Sequence, residues 1–278
     1  MDLKTHLTNQ INQKGFLIVS HRGEWGGNII QNTIQSTALA SRLGADIVEI
    51  DICRTIDGEY YLFHEGHEKD LLHEERKFSE MTSKEIEEMP VYNSIASKSG
   101  YRINRLDDFL SWLPDDMVIN IDRAYFYFDD PRLFSLLRES GKTQQFFLKA
   151  PVTIDYLTSF SENGEGLNFI SIVSDSSELK IYEQYACDIH TIGYEIVFRQ
   201  EDELAKYTDL LKDYPLRMAN AIHLGTPHIL AGGLTDDGAL FQKGKDWEDI
   251  LSAGFTAIQT DWPAFLNNYR EEQWQNVE

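Results

Sequence analysis

Cysteine is scarce in this sequence, and no long apolar run occurs. Cys53 and Cys187 are far apart and form no metal-ligand pattern, so we predict that both are reduced residues that pack in the interior. A membrane-spanning helix needs about 20 predominantly apolar residues in a row, and no such run is present. The first ten residues also lack the basic and apolar stretches of a secretory signal. We therefore expect a cytoplasmic protein without membrane insertion.

Positive charge is scarce as well. The sequence has 25 lysine and arginine residues against 46 aspartate and glutamate residues, which gives a formal net charge of −21 at pH 7. Nucleic acids and anionic lipids bind through clustered basic residues, so this balance argues against both as partners. A small-molecule partner fits better. If that molecule carries a phosphate, a metal ion or a few placed cations must supply positive charge locally. The composition indicates no oligomeric state.

Two signatures of other protein classes are also missing. No Gly-x-Ser-x-Gly occurs, and neither cysteine adjoins a histidine in a known signature, so catalysis by a serine or cysteine nucleophile has little support. No glycine-rich phosphate loop follows the first predicted strand, which argues against an open, doubly wound nucleotide-binding sheet.

Short apolar runs alternate with longer amphipathic stretches along the whole chain. Hydrophobic residues make up 42% of the 278 residues, enough for a large core. Helices are predicted at 33–43, 131–140 and 201–213. Strands are predicted at 16–20, 46–51, 60–64, 117–121, 145–149, 169–173, 189–196, 216–222 and 256–260. This alternation predicts parallel strands with helical crossovers, and we interpret residues 1–278 as a single (β/α)₈ TIM barrel domain of the α/β class. A barrel needs eight strands, so either 60–64 or 189–196 is expected to be an arm. A doubly wound sheet is the alternative.

Two acidic residues stand on the second predicted strand. Glu49 and Asp51 are two positions apart, so their side chains point to the same face, which in a barrel is the interior. Buried carboxylates repel each other unless a cation lies between them, and a hard divalent ion such as Mg²⁺ or Ca²⁺ prefers oxygen ligands. Asp122, at the end of another strand, is a candidate third ligand. Alternatively, Glu49 and Asp51 pair with Arg22 or Arg54 in a structural salt-bridge cluster.

Two histidines follow apolar strands on either side of this pair. Histidine is the usual acid or base near neutral pH, and His21 and His64 together can divide two proton transfers. A structural, hydrogen-bonded role is the alternative for each. Arg22, beside His21, offers a planar fork of donors that suits phosphate oxygens.

Six short motifs resemble those of the glycerophosphodiester phosphodiesterases. They occur in family order between residues 21 and 263, which is nearly the whole chain. They are His21-Arg22-Gly23, Asn32-Thr33, Glu49-Ile50-Asp51, Thr55-Ile56-Asp57-Gly58, His64 and Thr260-Asp261-Trp262-Pro263.

The resemblance implies a metal-dependent phosphoric diester hydrolase of lipid metabolism. Such an enzyme binds one divalent ion, Ca²⁺ or Mg²⁺, in a (β/α)₈ barrel and converts a glycerophosphodiester to glycerol 3-phosphate and an alcohol. The implied metal ligands are Glu49, Asp51 and Asp122. The implied acid and base are His21 and His64, with Arg22 on the phosphate of the small-molecule substrate. A hydroxyl of the substrate is expected to attack phosphorus, and water then opens the cyclic phosphate.

The sequence departs from the family pattern at several positions. Gln31 and Glu65 stand where glutamate and aspartate are usual, and Asp122-Arg123-Ala124 replaces Glu-x-Lys. We expect Arg123 or Lys149 to supply the missing positive charge at the substrate. The glycine-rich segment 225–245, including Asp236 and Asp237, is predicted to be a solvated, substrate-selecting loop.

These departures leave two alternatives open. One is a phosphodiesterase for another small sugar- or polyol-phosphodiester. The other is a non-catalytic barrel that binds a phosphorylated ligand. The presence of both histidines, both strand carboxylates and Arg22 favours an enzyme.

Overall fold

Nine strands form the sheet in the computed structural model, which describes residues 1–200, 214–224 and 228–275. The predicted helix 201–213 lies outside the described residues. The strands are β1 Leu17–Ser20, β2 Ile47–Arg54, β3 Tyr60–Leu62, β4 Val118–Asp122, β5 Phe146–Pro151, β6 Asn168–Val173, β7 Thr191–Ile196, β8 Leu216–Asn220 and β9 Ala257–Thr260. Every predicted strand is present, with ends that differ by a few residues.

Eight of these strands close into a parallel barrel. The order is β1-β9-β8-β7-β6-β5-β4-β2, and β1 pairs with β2 to complete the ring. This closure confirms the (β/α)₈ TIM barrel and rules out the doubly wound sheet. The ninth strand, β3, runs antiparallel to β2 and lies outside the ring, so the run at 60–64 is the arm and the run at 189–196 is a barrel strand.

Helices follow most of the barrel strands, and local sequence signals explain where they begin. The Thr33 hydroxyl accepts a hydrogen bond from the backbone N–H of Ser36 at the start of α2, and Asp130 caps α6 ahead of Pro131. The helices are α1 Leu3–Lys14, α2 Ile34–Arg42, α3 Glu68–Leu72, α4 Ser83–Glu88, α5 Leu106–Trp112, α6 Pro131–Glu139, α7 Ile154–Asn163, α8 Glu178–Tyr182, α9 Asp236–Phe241, α10 Lys245–Ser252 and α11 Pro263–Gln275, with 3₁₀ turns at Phe78–Glu80 and Ala124–Tyr127. Among the described residues, no helix has the length and apolar character needed to cross a bilayer.

Alternate residues of each strand face two different cores. In β2, Val48 and Ile50 belong to the large core between the sheet and the helices, whereas Ile47 belongs to a smaller core inside the barrel. Leu3 and Leu7 of α1 pack in that inner core. The helix α1 therefore closes the N-terminal end of the barrel. The acidic side chains Glu49 and Asp51 follow Ile47 along the inner face of β2, toward the C-terminal end, which we call the mouth.

The segment 225–245 differs from the sequence prediction, although 225–227 lie outside the described residues. It contains α9, whose N-cap is Thr235 and whose first turn carries Asp236 and Asp237. Those residues form a helix start, which the glycine content of the segment obscures. Asp236 is buried rather than solvated. The prediction of a solvated loop is therefore wrong for this part of the segment.

The cysteines also differ in part from the prediction. Both are free, and Cys53 is buried as expected, but Cys187 is exposed. Cys187 is therefore not a packing residue.

Candidate active site

Three carboxylates meet inside the mouth of the barrel. One oxygen from each of Glu49, Asp51 and Asp122 lies within 4.8 Å of the others. The strand register explains this, because Asp51 of β2 is paired with Asp122 of β4. Glu49 and Asp51 are buried, and Asp122 is partly exposed. The structure thus brings together the three residues that the sequence singled out.

The protonation of this cluster reflects its burial. Burial and the neighbouring Asp51 raise the pKa of Glu49 well above its ordinary value. Burial also opposes the ionisation of Asp51, but Arg22 and His64 outweigh it, and the pKa of Asp51 falls below its ordinary value. Three carboxylate oxygen donors grouped this closely suit a hard divalent cation, which prefers oxygen ligands. The residues present therefore fit the metal that the sequence analysis expects.

A nearby amide is consistent with this fit. Asn120 of β4 is paired in register with Glu49, and its side chain is fully buried. Neither its Oδ1 nor its Nδ2 has a hydrogen-bond partner among the described residues. A buried amide without partners is costly, so it marks a place where a ligand or water is needed.

Three cations surround the carboxylates. Nε of Arg22 lies 3.0 Å from Oδ2 of Asp51, and Nε of Arg123 lies 3.3 Å from its Oδ1. Nζ of the fully buried Lys149 lies 3.0 Å from Oδ2 of Asp122. All three predicted substrate-binding cations are therefore at the cluster. The salt-bridge alternative holds in part, since Arg22 does pair with Asp51.

Three residues around Asp51 have strained backbone conformations. Arg22, Asn32 and Arg123 all have left-handed backbone conformations, with φ of 58°, 55° and 59°. Each of them contacts Asp51. The Asn32 amide donates to Oδ2 of Asp51 (3.0 Å), and the backbone N–H of Asp51 donates to Oδ1 of Asn32 (2.8 Å). A left-handed arginine costs about 1–2 kcal/mol, which the convergence of these contacts on one buried carboxylate offsets.

The two histidines have different surroundings. His21, after β1, is paired through Nδ1 with Oδ1 of Asp261 at 2.7 Å. His64 has a buried Nδ1 without a hydrogen-bond partner in the part of the chain that is described. Burial lowers the pKa of His64 to about 4, so its ring is neutral at pH 7. The chain neighbours of both histidines contact the cluster residues: the backbone N–H of Arg22 donates to Oε2 of Glu49 (2.8 Å), and the backbone N–H of Phe63 donates to the carbonyl of Asp51 (3.0 Å). Both histidines therefore stand beside the carboxylate cluster.

Sequence reasoning missed several residues of the site. Glu195 of β7 accepts a hydrogen bond from Lys149 Nζ (2.9 Å) across the barrel. The Nε2 atom of His67 lies 2.9 Å from Nη1 of Arg22. Gln31, noted only as a departure, accepts a hydrogen bond from the same Nη1 (2.8 Å). Alternation along β7 indicates that Glu195 faces inward, but no sequence signal indicates its partner.

Some of the residues considered lie elsewhere. Arg54 pairs with Asp130 at 2.8 Å and is not part of the cluster. Asp237, from the segment predicted to be solvated, is exposed and pairs with His223 at 2.8 Å. Beside Arg22, a cavity of about 380 Å³ is lined by Trp25, Ile29, Gln31, His67 and others.

Two protein-family models match this chain, each over a different range of residues. Residues 21–128 match the glycerophosphoryl diester phosphodiesterase family, and residues 169–270 match a family described as a domain of unknown function. A glycerophosphodiester phosphodiesterase of Caldanaerobacter subterraneus is 30% identical over 108 residues, which are 38% of this chain and 44% of that relative. The chain therefore matches less than half the length of this curated relative.

Solved structures show the same fold. A glycerophosphoryl diester phosphodiesterase from Parabacteroides distasonis is similar at a TM-score of 0.74 with 17% identity, over 93% of this chain and 87% of that one. An Oleispira antarctica phosphodiesterase, solved in complex with the product sn-glycerol-3-phosphate, has a TM-score of 0.67 and 16% identity, over 92% and 96% of the two chains. At these identities the likeness concerns the barrel alone.

Proposed function

We propose that the chain is a member of the glycerophosphoryl diester phosphodiesterase family, whose model matches residues 21–128, and that it hydrolyses a glycerophosphodiester to glycerol 3-phosphate and an alcohol. The observation that carries the proposal is the grouping of three carboxylates within 4.8 Å of one another, with two histidines whose chain neighbours bond to Glu49 and Asp51. We propose further that the two matched regions, 21–128 and 169–270, form one barrel domain.

In this proposal Glu49, Asp51 and Asp122 hold one divalent ion, Mg²⁺ or Ca²⁺. Bound there, the ion would supply positive charge to the phosphoryl oxygens. Arg22, Arg123 and Lys149 surround the same carboxylates, so an anionic phosphodiester meets positive charge despite the acidic composition of the chain.

The proposal gives the two histidines the proton transfers. One takes a proton from the hydroxyl that attacks phosphorus, and the other gives a proton to the leaving alcohol. The neutral ring of His64 at pH 7 suits the first of these tasks. The cavity lined by Trp25, Ile29 and His67 lies beside Arg22, and we propose that it receives one end of the substrate.

The test is a substrate panel assayed with and without chelator. Purified protein is incubated with glycerophosphodiesters of different alcohols and with sugar- and polyol-phosphodiesters, each with Mg²⁺, Ca²⁺ or EDTA. We expect glycerol 3-phosphate from at least one glycerophosphodiester and no product with EDTA. Glu49→Gln should weaken metal binding by at least about tenfold, because it removes one charged ligand. The control is Glu65→Gln, which changes a carboxylate outside the cluster.

Three outcomes would contradict parts of the proposal. Turnover that persists in EDTA would show that the reaction does not need a metal ion. Cleavage only of sugar- or polyol-phosphodiesters would establish the alternative substrate class. Tight metal binding with no turnover of any diester would indicate a non-catalytic barrel that binds a phosphorylated ligand.

A further inference from the structure

The motif Thr260-Asp261-Trp262-Pro263 ends the last barrel strand and lies against His21. Nδ1 of His21 is 2.7 Å from Oδ1 of Asp261, and the backbone N–H of His21 donates to the carbonyl of Thr260 (3.0 Å). An ionised carboxylate can only accept a hydrogen bond, so Nδ1 of His21 carries the hydrogen. In the neutral ring, Nε2 is then the nitrogen with the free lone pair.

A second carboxylate stands behind Asp261. Asp236, the first residue of α9, is almost completely buried. It accepts three hydrogen bonds: from the Thr260 hydroxyl (2.8 Å), from the indole N–H of Trp247 (2.9 Å) and from the backbone N–H of Asp261 (2.9 Å). The Thr260 hydroxyl in turn accepts the backbone N–H of Trp262 (2.9 Å). The turn that presents Asp261 is thus fastened at two points to one buried side chain.

We propose that Asp261 is a positioning residue for His21, and that Asp236 fixes Asp261 in place for this task. Asp261 would hold the His21 ring with Nε2 as the reacting nitrogen and stabilise the imidazolium that forms when Nε2 takes a proton. When His64 takes the proton of the attacking hydroxyl, the His21 imidazolium gives its Nε2 proton to the leaving alcohol. It regains a proton at Nε2 from the water that opens the cyclic phosphate, and neither aspartate accepts a proton. This inference rests on the proposed function, because it assigns His21 a proton transfer.

The arrangement also gives a role to the region matched only by a domain of unknown function. Asp236, Trp247 and Asp261 all lie within residues 169–270. His21 and the carboxylate ligands lie within 21–128. The second region would therefore orient a catalytic group of the first. His64, whose Nδ1 has no partner among the residues described, has no comparable support.

The structure suggests why a carboxylate is needed at position 236. All three of its partners donate hydrogen bonds, and an ionised carboxylate can accept all of them. In Asp236→Asn the side-chain N–H₂ group would face a donor, so at least one of the three contacts is lost. Burial raises the pKa of Asp236 to about 7, so this anchor is ionised only from near-neutral pH upward.

The test compares Asp261→Asn, Asp236→Asn and the double variant with the wild type. We expect Asp261→Asn to lower kcat by about 10²–10⁴-fold while metal affinity is unchanged. Asp236→Asn should lower kcat by about 10–100-fold, as loss of a supporting contact does. The double variant should be no worse than Asp261→Asn, because both changes act on one ring. Asp261→Glu should recover part of the rate.

Two further measurements separate positioning from mere structural damage. In Asp261→Asn and Asp236→Asn, the limb of the kcat/KM pH profile that reports His21 should shift to lower pH. The reason is that the imidazolium loses the carboxylate that stabilises it. Asp130→Asn, which changes a buried aspartate that accepts several hydrogen bonds elsewhere, is the matched control and should leave the profile unmoved. Nitrogen NMR of labelled histidines reports the tautomer and pKa of His21 without any turnover.

The NMR result also keeps this inference distinct from the proposed function. If the wild type cleaves no diester, the proposed function fails, whereas the tautomer of His21 still tests the pairing. An unchanged tautomer and pKa of His21 in Asp261→Asn would overturn the role of Asp261. Effects of Asp236→Asn and Asp261→Asn that multiply in the double variant would overturn the role of Asp236.

Discussion

Replacement of Lys149 should destabilise the barrel strongly. Nζ of Lys149 lies 2.9 Å from Oε2 of Glu195 and 3.0 Å from Oδ2 of Asp122, and the Glu195 side chain is only 5% exposed. Lys149→Met keeps the unbranched chain but leaves Glu195, among the residues that the structure describes, with the Asn220 amide at 3.5 Å as its remaining side-chain partner. Removing one partner of a buried ion pair costs about 3–5 kcal/mol of unfolding free energy.

The pH at which this contribution acts follows from the charge on Lys149. Burial opposes its ionisation, but Asp122 and Glu195 outweigh burial and raise the pKa of Lys149 well above its ordinary value. A lysine whose pKa is raised by folding stabilises the fold fully below its unfolded pKa, and the contribution is lost as the pH rises through the folded pKa. The full loss in Lys149→Met should therefore be measurable at pH 7.

The assay is urea unfolding at pH 7 with EDTA present, so that metal binding does not add to stability. Lys142→Met is the control, because Lys142 pairs with the exposed Asp115 and such a pair contributes about 0–1 kcal/mol. The double variant Lys149→Met/Glu195→Met should recover most of the loss, since the buried Glu195 carboxylate is then also removed, while Asp122, the other partner of Lys149, is partly exposed to water. A loss below about 1 kcal/mol in Lys149→Met, or a double variant no more stable than the single one, would refute this account of the ion pair.

Two further predictions concern the histidines and the cysteines. His21→Ala and His64→Ala should each lower kcat by about 10²–10⁴-fold with little change in metal affinity, and near-normal turnover in either variant would remove that residue from the mechanism. In the folded protein a thiol reagent should modify the exposed Cys187 but not Cys53, because burial raises the pKa of the Cys53 thiol to about 12. Mass spectrometry should find one adduct on the folded chain and two adducts in urea. Modification of Cys53 in the folded chain would contradict its burial.

Local patterns in the sequence were enough to predict the barrel and the carboxylate cluster. The spacing of Glu49 and Asp51 fixes a common face, and the end of a parallel strand places Asp122 at the same edge. The sequence did not distinguish β3 from the barrel strands. Tyr60–Leu62 is as apolar as they are, and only its antiparallel pairing with β2 sets it apart.

The remaining site residues depend on distant pairings that no local pattern encodes. Glu195 reaches Lys149 across the barrel, and Asp236 fastens a turn 25 positions away in the chain. Alternation predicts which side chains face inward but not which of them meet. The glycines around α9 favour a solvated loop at Asp236, although Thr235 and the acidic first turn form a good helix start.

The helix α1 under the barrel has a kinetic consequence. Leu3 and Leu7 pack with the apolar inner residues of the strands, so the interior is filled below the polar cluster. A molecule that reaches Asp51 or His64 must therefore arrive by the mouth, and it must depart by the same route. In the proposed hydrolysis, two products and the next substrate share this single passage. We therefore expect the products to leave one after the other, with the phosphorylated product, which the cations would hold more strongly than the alcohol, leaving last and competing with incoming substrate.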